Sequence, residues 1–194
     1  WATVVQGVGY ESMNQSHFKG TDLWMSGGDG TVANNNIRSG WIGRALQAFY
    51  PDVVGVPTTN MPDPLGIQVG DPTTSLGFHT ETQHQNVINL SGQDAAGFYS
   101  LIQTIGGAPI LNVPDSEHGE ELEYIMGVEQ STSLYAQRIS QVFNAGSNYL
   151  TNYATTNNSR FAPQLQTVAR LIKGGCKTKI YLCQLGGFDT HNAQ

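Results

Sequence analysis

The segment Gly186-Gly187-Phe188-Asp189-Thr190-His191 holds the two residues whose types and spacing best suit chemistry. In an extended chain, residues two apart project to the same side. One carboxylate oxygen of Asp189 and one imidazole nitrogen of His191 can then converge on a single cation. A mixed oxygen and nitrogen donor pair suits zinc, and also manganese or iron. The two glycines permit backbone turns that other residues resist. The pattern leaves an alternative open, in which Asp189 caps a following helix and His191 is solvated.

Ser16-His17 is the second candidate. Adjacent residues rarely aim at each other, and a nucleophile–base pair is recognised by geometry rather than by neighbourhood. The functional reading gives His17 a place lining a metal or anion pocket, with Ser16 as hydrogen-bond donor or nucleophile. The structural one gives both to backbone groups of a loop. Arg44 can offer its guanidinium fork to a phosphate or sulfate, or take part in a surface salt bridge. Gly27-Gly28-Asp29-Gly30-Thr31 lacks the lysine of a phosphate-binding loop and the spacing of a calcium loop, so it reads as a turn. His79, Glu81 and His84 share no helix face and read as a surface loop. His118 reads as part of a solvated helix face.

The elements that must position these residues follow from periodicity. The β-branched run at 2–6 predicts a short buried strand ending at Gly7. Residues 7–36, rich in Gly, Asn and Ser, predict a long loop. Apolar spacing predicts a helix at about 37–49, with Asn36 as N-cap and Pro51 as its stop. Residues 51–92 hold five of the eight prolines and predict short strands and turns. A helix is expected at about 93–105. Another runs from about 117 to 146, with a break near Ser131 and a buried face of Leu122, Ile125, Met126, Leu134, Ile139, Val142 and Phe143. A last helix spans about 161–173, burying Leu165, Val168, Ala169 and Ile172. The clearest strand covers 179–185, and its near-continuous apolar character predicts parallel pairing with both faces covered. Helix, Gly-Gly, strand, Gly-Gly, then acid and imidazole is the grammar of an α/β sheet. Ligands of such sheets bind beyond the carboxyl ends of the strands.

Of the 194 residues only 12% are charged, and the net charge is −6. No basic block is present, which argues against a nucleic-acid surface. The polar surface must come from Asn, Gln, Ser, Thr and Gly, a habit that suits exported proteins. No apolar run approaches the roughly 20 residues needed to span a bilayer. Cys176 and Cys183 would stand about 20 Å apart on an extended segment, too far for a disulfide, so they are expected as free thiols in or near the core. The three tryptophans show no platform spacing, which weighs against a carbohydrate-binding module. The chain begins inside an apolar run and stops just after a motif, as an internal piece of a longer protein would.

Three blocks carry a family resemblance. The segment IYLCQLGGFDTHNAQ resembles the signature of a large bacterial family, the domain-of-unknown-function family 1501, in the alkaline phosphatase/sulfatase-like superfamily. VVQGVGYESMNQSHFKGTDLWMSGG resembles its opening pattern, and Gly40-Trp41-Ile42-Gly43-Arg44 a third block. They lie in the family's order and bracket nearly the whole chain, whereas residues 51–160 match only loosely. The resemblance implies an α/β fold with a mostly parallel sheet flanked by helices, alkaline phosphatase-like and incomplete at both ends. Residues 1–194 would form an internal part of one such domain, with a helical and loop-rich centre at about 51–160. It also implies a divalent-metal site, with zinc, manganese, calcium or magnesium held in part by Asp189 and His191. Such members hydrolyse or transfer small anionic phosphate or sulfate esters. Ser16 and His17 would then be catalytic candidates and Arg44 a substrate-binding one. The competing expectation is a non-catalytic periplasmic or surface protein that uses the same fold to assemble with a protein partner.

Overall fold

The structure is a computed structural model and describes residues 2–11, 13, 15–31, 38–53, 56–70, 76–80, 87–90, 115–148 and 161–185. The chain divides into two compact units, residues 1–52 with 74–83, and residues 53–73 with 84–194.

The first unit is built on two helices, α1 (His17–Ser26) and α2 (Trp41–Phe49), with a short 3-10 turn at Leu76–Phe78. The helix α1 falls inside the stretch expected to be a loop. Its start is set by Ser16, whose Oγ accepts the Lys19 N–H at 3.3 Å, an N-cap that satisfies one orphan donor. The C-cap is Gly27 in the left-handed conformation. Periodicity does not betray this helix, because only Leu23, Met25 and Ser26 are buried while Phe18 and Trp24 stay exposed. The helix α2 begins later than its spacing suggests, with Gly40 as N-cap in place of Asn36. The apolar positions that earn it a place are Ile42 and Leu46.

Residues 2–6 are not a buried strand. They join no ladder among the described residues, and Val4 and Val5 are exposed. A β-branched run becomes a strand only where a sheet edge completes its hydrogen bonds.

The second unit is α/β. Strands β1 (Gly66–Val69), β2 (Val87–Leu90) and β3 (Ile180–Cys183) form a parallel sheet in the order β2-β1-β3. Ile67 pairs with Ile88 and Tyr181, and Val69 with Leu90 and Cys183. Alternate residues share a face, so these side chains all meet one pair of helices, α3 (Glu117–Ala145) and α4 (Phe161–Lys173). Tyr135, Ala136, Ile139, Val142 and Phe143 of α3 and Leu171 of α4 complete the core. The helix α3 runs without the break expected near Ser131, starting from a Ser116 cap that accepts the Gly119 N–H at 3.2 Å. The expected helix at 93–105 lies outside the described residues.

Both long helices bury faces slightly different from those the apolar spacing suggests. Leu122 and Leu134 of α3 are about half exposed, and Tyr135 and Ala136 take the core positions. The side chain of Ile125 is outside the described ones. In α4 the buried side chains are Gln164, Thr167 and Leu171, while Leu165 and Ile172 are exposed. The strand β3 is half-buried along its length, as an edge strand in the described sheet must be, rather than covered throughout. The helices cross closely where α3 ends and α4 ends. A Cβ on Gly146 would strike the Arg170 carbonyl oxygen, and one on Gly174 the Val142 carbonyl oxygen. Arg170 seals the crossing, donating to the Phe143 and Gly146 carbonyls at 2.7 and 3.2 Å with its guanidinium over the Phe143 ring.

Candidate functional site

The two ends of the parallel sheet differ in what their polar groups do. At the amino end, Asp63 is fully buried and receives Arg138 Nε–H at 2.8 Å and the Lys177 N–H at 2.8 Å. Thr178 Oγ1–H donates to the Pro64 carbonyl at 2.7 Å, and Lys179 N–H to that of Leu65 at 2.9 Å. The Lys177, Thr178 and Lys179 bonds tie the lead-in of β3 to the lead-in of β1, and the Arg138 bond ties the latter to α3, so this end is a structural seam. Tyr135 and Tyr181 stand near it. Burial first, then the Asp63 charge, pushes the Tyr135 hydroxyl up to about 12. Tyr181 is raised too, by burial first and then by Cys176 beside it. Its hydroxyl makes no hydrogen bond of acceptable geometry despite those neighbours.

At the carboxyl end the strands finish level, with Val69 opposite Leu90 and Cys183. Gly70 continues the pairing, donating to the Leu90 carbonyl at 3.1 Å. Beyond Cys183 come Gln184 and Leu185, and then the segment Gly186–His191. Asp189 and His191 lie outside the described residues. Gln164 reaches over from α4 and pairs with the Gln184 backbone through both its amide groups, at 2.9 and 3.0 Å. Cys183 adjoins this edge, and burial pushes its thiol up, which keeps it protonated and a poor ligand or nucleophile. Cys176 and Cys183 are both free thiols packed against the core.

The remaining candidates lie in the first unit. Ser16 is the cap of α1, and His17 is the first helical residue, exposed. Arg44 donates from Nη1 to the Ser39 carbonyl and hydroxyl at 2.7 and 3.0 Å, and from Nη2 to the Ser26 carbonyl at 2.8 Å. It therefore neutralises carbonyls at the end of α1 and just before α2, a joint of the unit rather than the surface ion pair that was its plain alternative. Trp41 sits at the same joint, 6.4 Å from Trp24 and edge-to-face with it. The tryptophans look dispersed along the sequence, but folding brings these two together. Asp29 accepts from Thr31 N–H at 2.9 Å and Thr31 Oγ1–H at 2.7 Å, so the Gly-Gly-Asp-Gly-Thr run is the turn expected of it. Glu81 and His84 lie outside the described residues, as does the side chain of His118.

Among the described residues, no group of three or more His, Cys, Asp or Glu stands together to hold a metal. Gln164 is the residue that sequence reading missed. Its only signal was a polar side chain at a helical spacing of three and seven from Thr167 and Leu171.

Among the described residues no helix is long and apolar enough to cross a membrane. A scan against protein-family models, a search of curated proteins and a search of solved structures each found no match. The family resemblance therefore rests on the three sequence blocks themselves.

Proposed function

We propose that this chain belongs to a metal-dependent hydrolase of phosphate or sulfate esters, on an alkaline phosphatase-like α/β fold, with Asp189 and His191 as two of its metal ligands. The observation that carries the reading is topological. The strand β3 runs parallel to β1, and its carboxyl end leads directly into Gly186–His191. That is the edge at which open parallel sheets bind ligands. The opposite edge has its polar groups committed to holding the strand lead-ins and α3 together.

In this reading Asp189 contributes an oxygen and His191 a nitrogen to one divalent ion, with zinc the best match to the pair. When bound, such an ion polarises ester oxygens and lowers the pKa of an attacking hydroxyl. The reading does not draw on Ser16 or Arg44, whose hydroxyl and guanidinium are engaged within the first unit.

The test is metal content and affinity, measured by elemental analysis and by titration with zinc and manganese, for the protein and its Asp189→Asn and His191→Ala variants. Each substitution is expected to weaken binding by roughly tenfold or more, since even outer-shell changes cost about that much. Hydrolysis of aryl phosphate and aryl sulfate should fall in parallel. A protein that binds neither ion, or variants that bind as the parent does, would remove the ligand assignment and the hydrolase with it.

A further inference from the structure

The carboxyl ends of β1 and β3 meet around one side chain. Gln164 lies in the first turn of α4 and is only 7% exposed. Its Nε2–H donates to the Gln184 carbonyl at 2.9 Å, and its Oε1 accepts the Gln184 N–H at 3.0 Å. A primary amide offers a donor and an acceptor on one edge, so it satisfies a peptide as a neighbouring strand would. Gln184 is the first residue past β3 and has left the ladder.

The same amide rests on Gly70, the first residue past β1. A Cβ at Gly70 would lie 2.7 Å from Gln164 Cδ and 2.8 Å from Nε2, and φ there is +108°. Only glycine provides both that backbone conformation and that space. Gly70 is in turn bonded to the end of β2 at Leu90. Packing alone does not call for a glutamine here, because leucine or methionine would fill a buried helix position without desolvating an amide. The contrast lies within the same sheet, where Gln68 is buried with neither amide atom bonded among the described residues. Gln164 has both bonds made, and both go to the backbone of one residue.

We propose that Gln164 is a positioning residue that fixes the direction in which the chain leaves β3, and so sets the geometry of the Asp189–His191 pair. The segment bearing that pair begins two residues after Gln184. Gln164 touches neither the ion nor the substrate; it acts through the Gln184 backbone. The proposal rests on the metal reading for its consequence and on Gln184 alone for its mechanism, and the two can be tested apart.

The experiment compares the protein with Gln164→Leu and Gln164→Met, which keep apolar volume and remove both hydrogen bonds. Without metal, amide exchange and backbone NMR shifts are recorded for Gln184–His191. With cobalt as the probe, affinity and the visible ligand-field spectrum are recorded, and thermal midpoints are measured alongside. In at least one variant the Gln184 amide should lose protection and the shifts of Gly186–His191 should move, while those of β1 and α3 hold. Cobalt affinity should fall about tenfold, as for other residues that orient ligands, with an altered spectrum, although unfolding remains cooperative. Unmoved shifts at Gly186–His191 overturn the positioning role, whatever cobalt does. Moved shifts with unchanged cobalt affinity and spectrum overturn its link to the ligand pair. If the parent binds no cobalt, the metal reading fails, and moved shifts still uphold the backbone role. Should both substitutions unfold the protein, Gln164 is a structural residue and the proposal is lost.

Discussion

Asp63 and Arg138 form a pair whose two members do not share its risk equally. Asp63 has no exposure, whereas a third of the Arg138 side chain reaches water. Removing the arginine strands a buried carboxylate that keeps the Lys177 N–H bond, whereas removing the acid lets the guanidinium hydrate. Arg138→Met is therefore expected to cost about 3–5 kcal/mol, and Asp63→Asn less, about 1–3 kcal/mol, by urea unfolding at neutral pH. The pair also holds the Arg138 guanidinium above its ordinary range, chiefly through the hydrogen bond to Asp63. Tyr135 gives a pH signature. Its folded hydroxyl is raised to about 12, while in the unfolded chain a tyrosine ionises near 10. The folded state keeps the proton where the unfolded state releases it. The stability is thus fully present below about pH 10 and is lost as pH rises toward about 12. Tyr135→Phe should flatten that loss without weakening the protein at neutral pH, since the hydroxyl it removes has no hydrogen-bond partner among the described residues. Tyr181, shifted in the same direction, should leave a residual slope. Gln68→Met should raise neutral-pH stability by about 1 kcal/mol, because it removes two buried amide atoms that have no partner among the described residues.

At the scale of elements, the sheet and the crossing of α3 and α4 hold the second unit together. The contact between the helices depends on Gly146 and Gly174, each lying against the other helix's carbonyl. Gly174→Ala or Gly146→Ala should cost about 1–3 kcal/mol, because the methyl group has nowhere to go. Ile139→Ala, at a fully buried position against the sheet, should cost about 2–5 kcal/mol, by thermal or urea unfolding. Sequence periodicity located both helices to within a residue or two, yet chose part of each buried face wrongly. Helical spacing constrains the angle of the apolar stripe only loosely, and hydrogen bonds can outweigh it. In α4 the Gln184 backbone draws Gln164 inward, so Leu165 and Ile172 turn out to solvent. In α1 the stripe is too short to see, and the cap at Ser16 is the stronger signal.

For the molecule as a whole, composition and pattern made an α/β architecture legible, because a parallel strand between Gly-Gly stops has a distinct apolar run. The last helix and the strand after it could both be placed from the sequence. The sequence also determined which residues can donate to a cation, since donor chemistry belongs to the side chain and needs no fold. What only the tertiary structure decided was how polar groups far apart in the chain are spent. Asp63 meets Arg138 and Lys177, Arg44 meets Ser26, and Gln164 meets Gln184. None of these partnerships has a period or a motif. Each is the outcome of burial, which makes an unpaired polar group costly and so selects whichever partner the packing of helices and strands brings within reach.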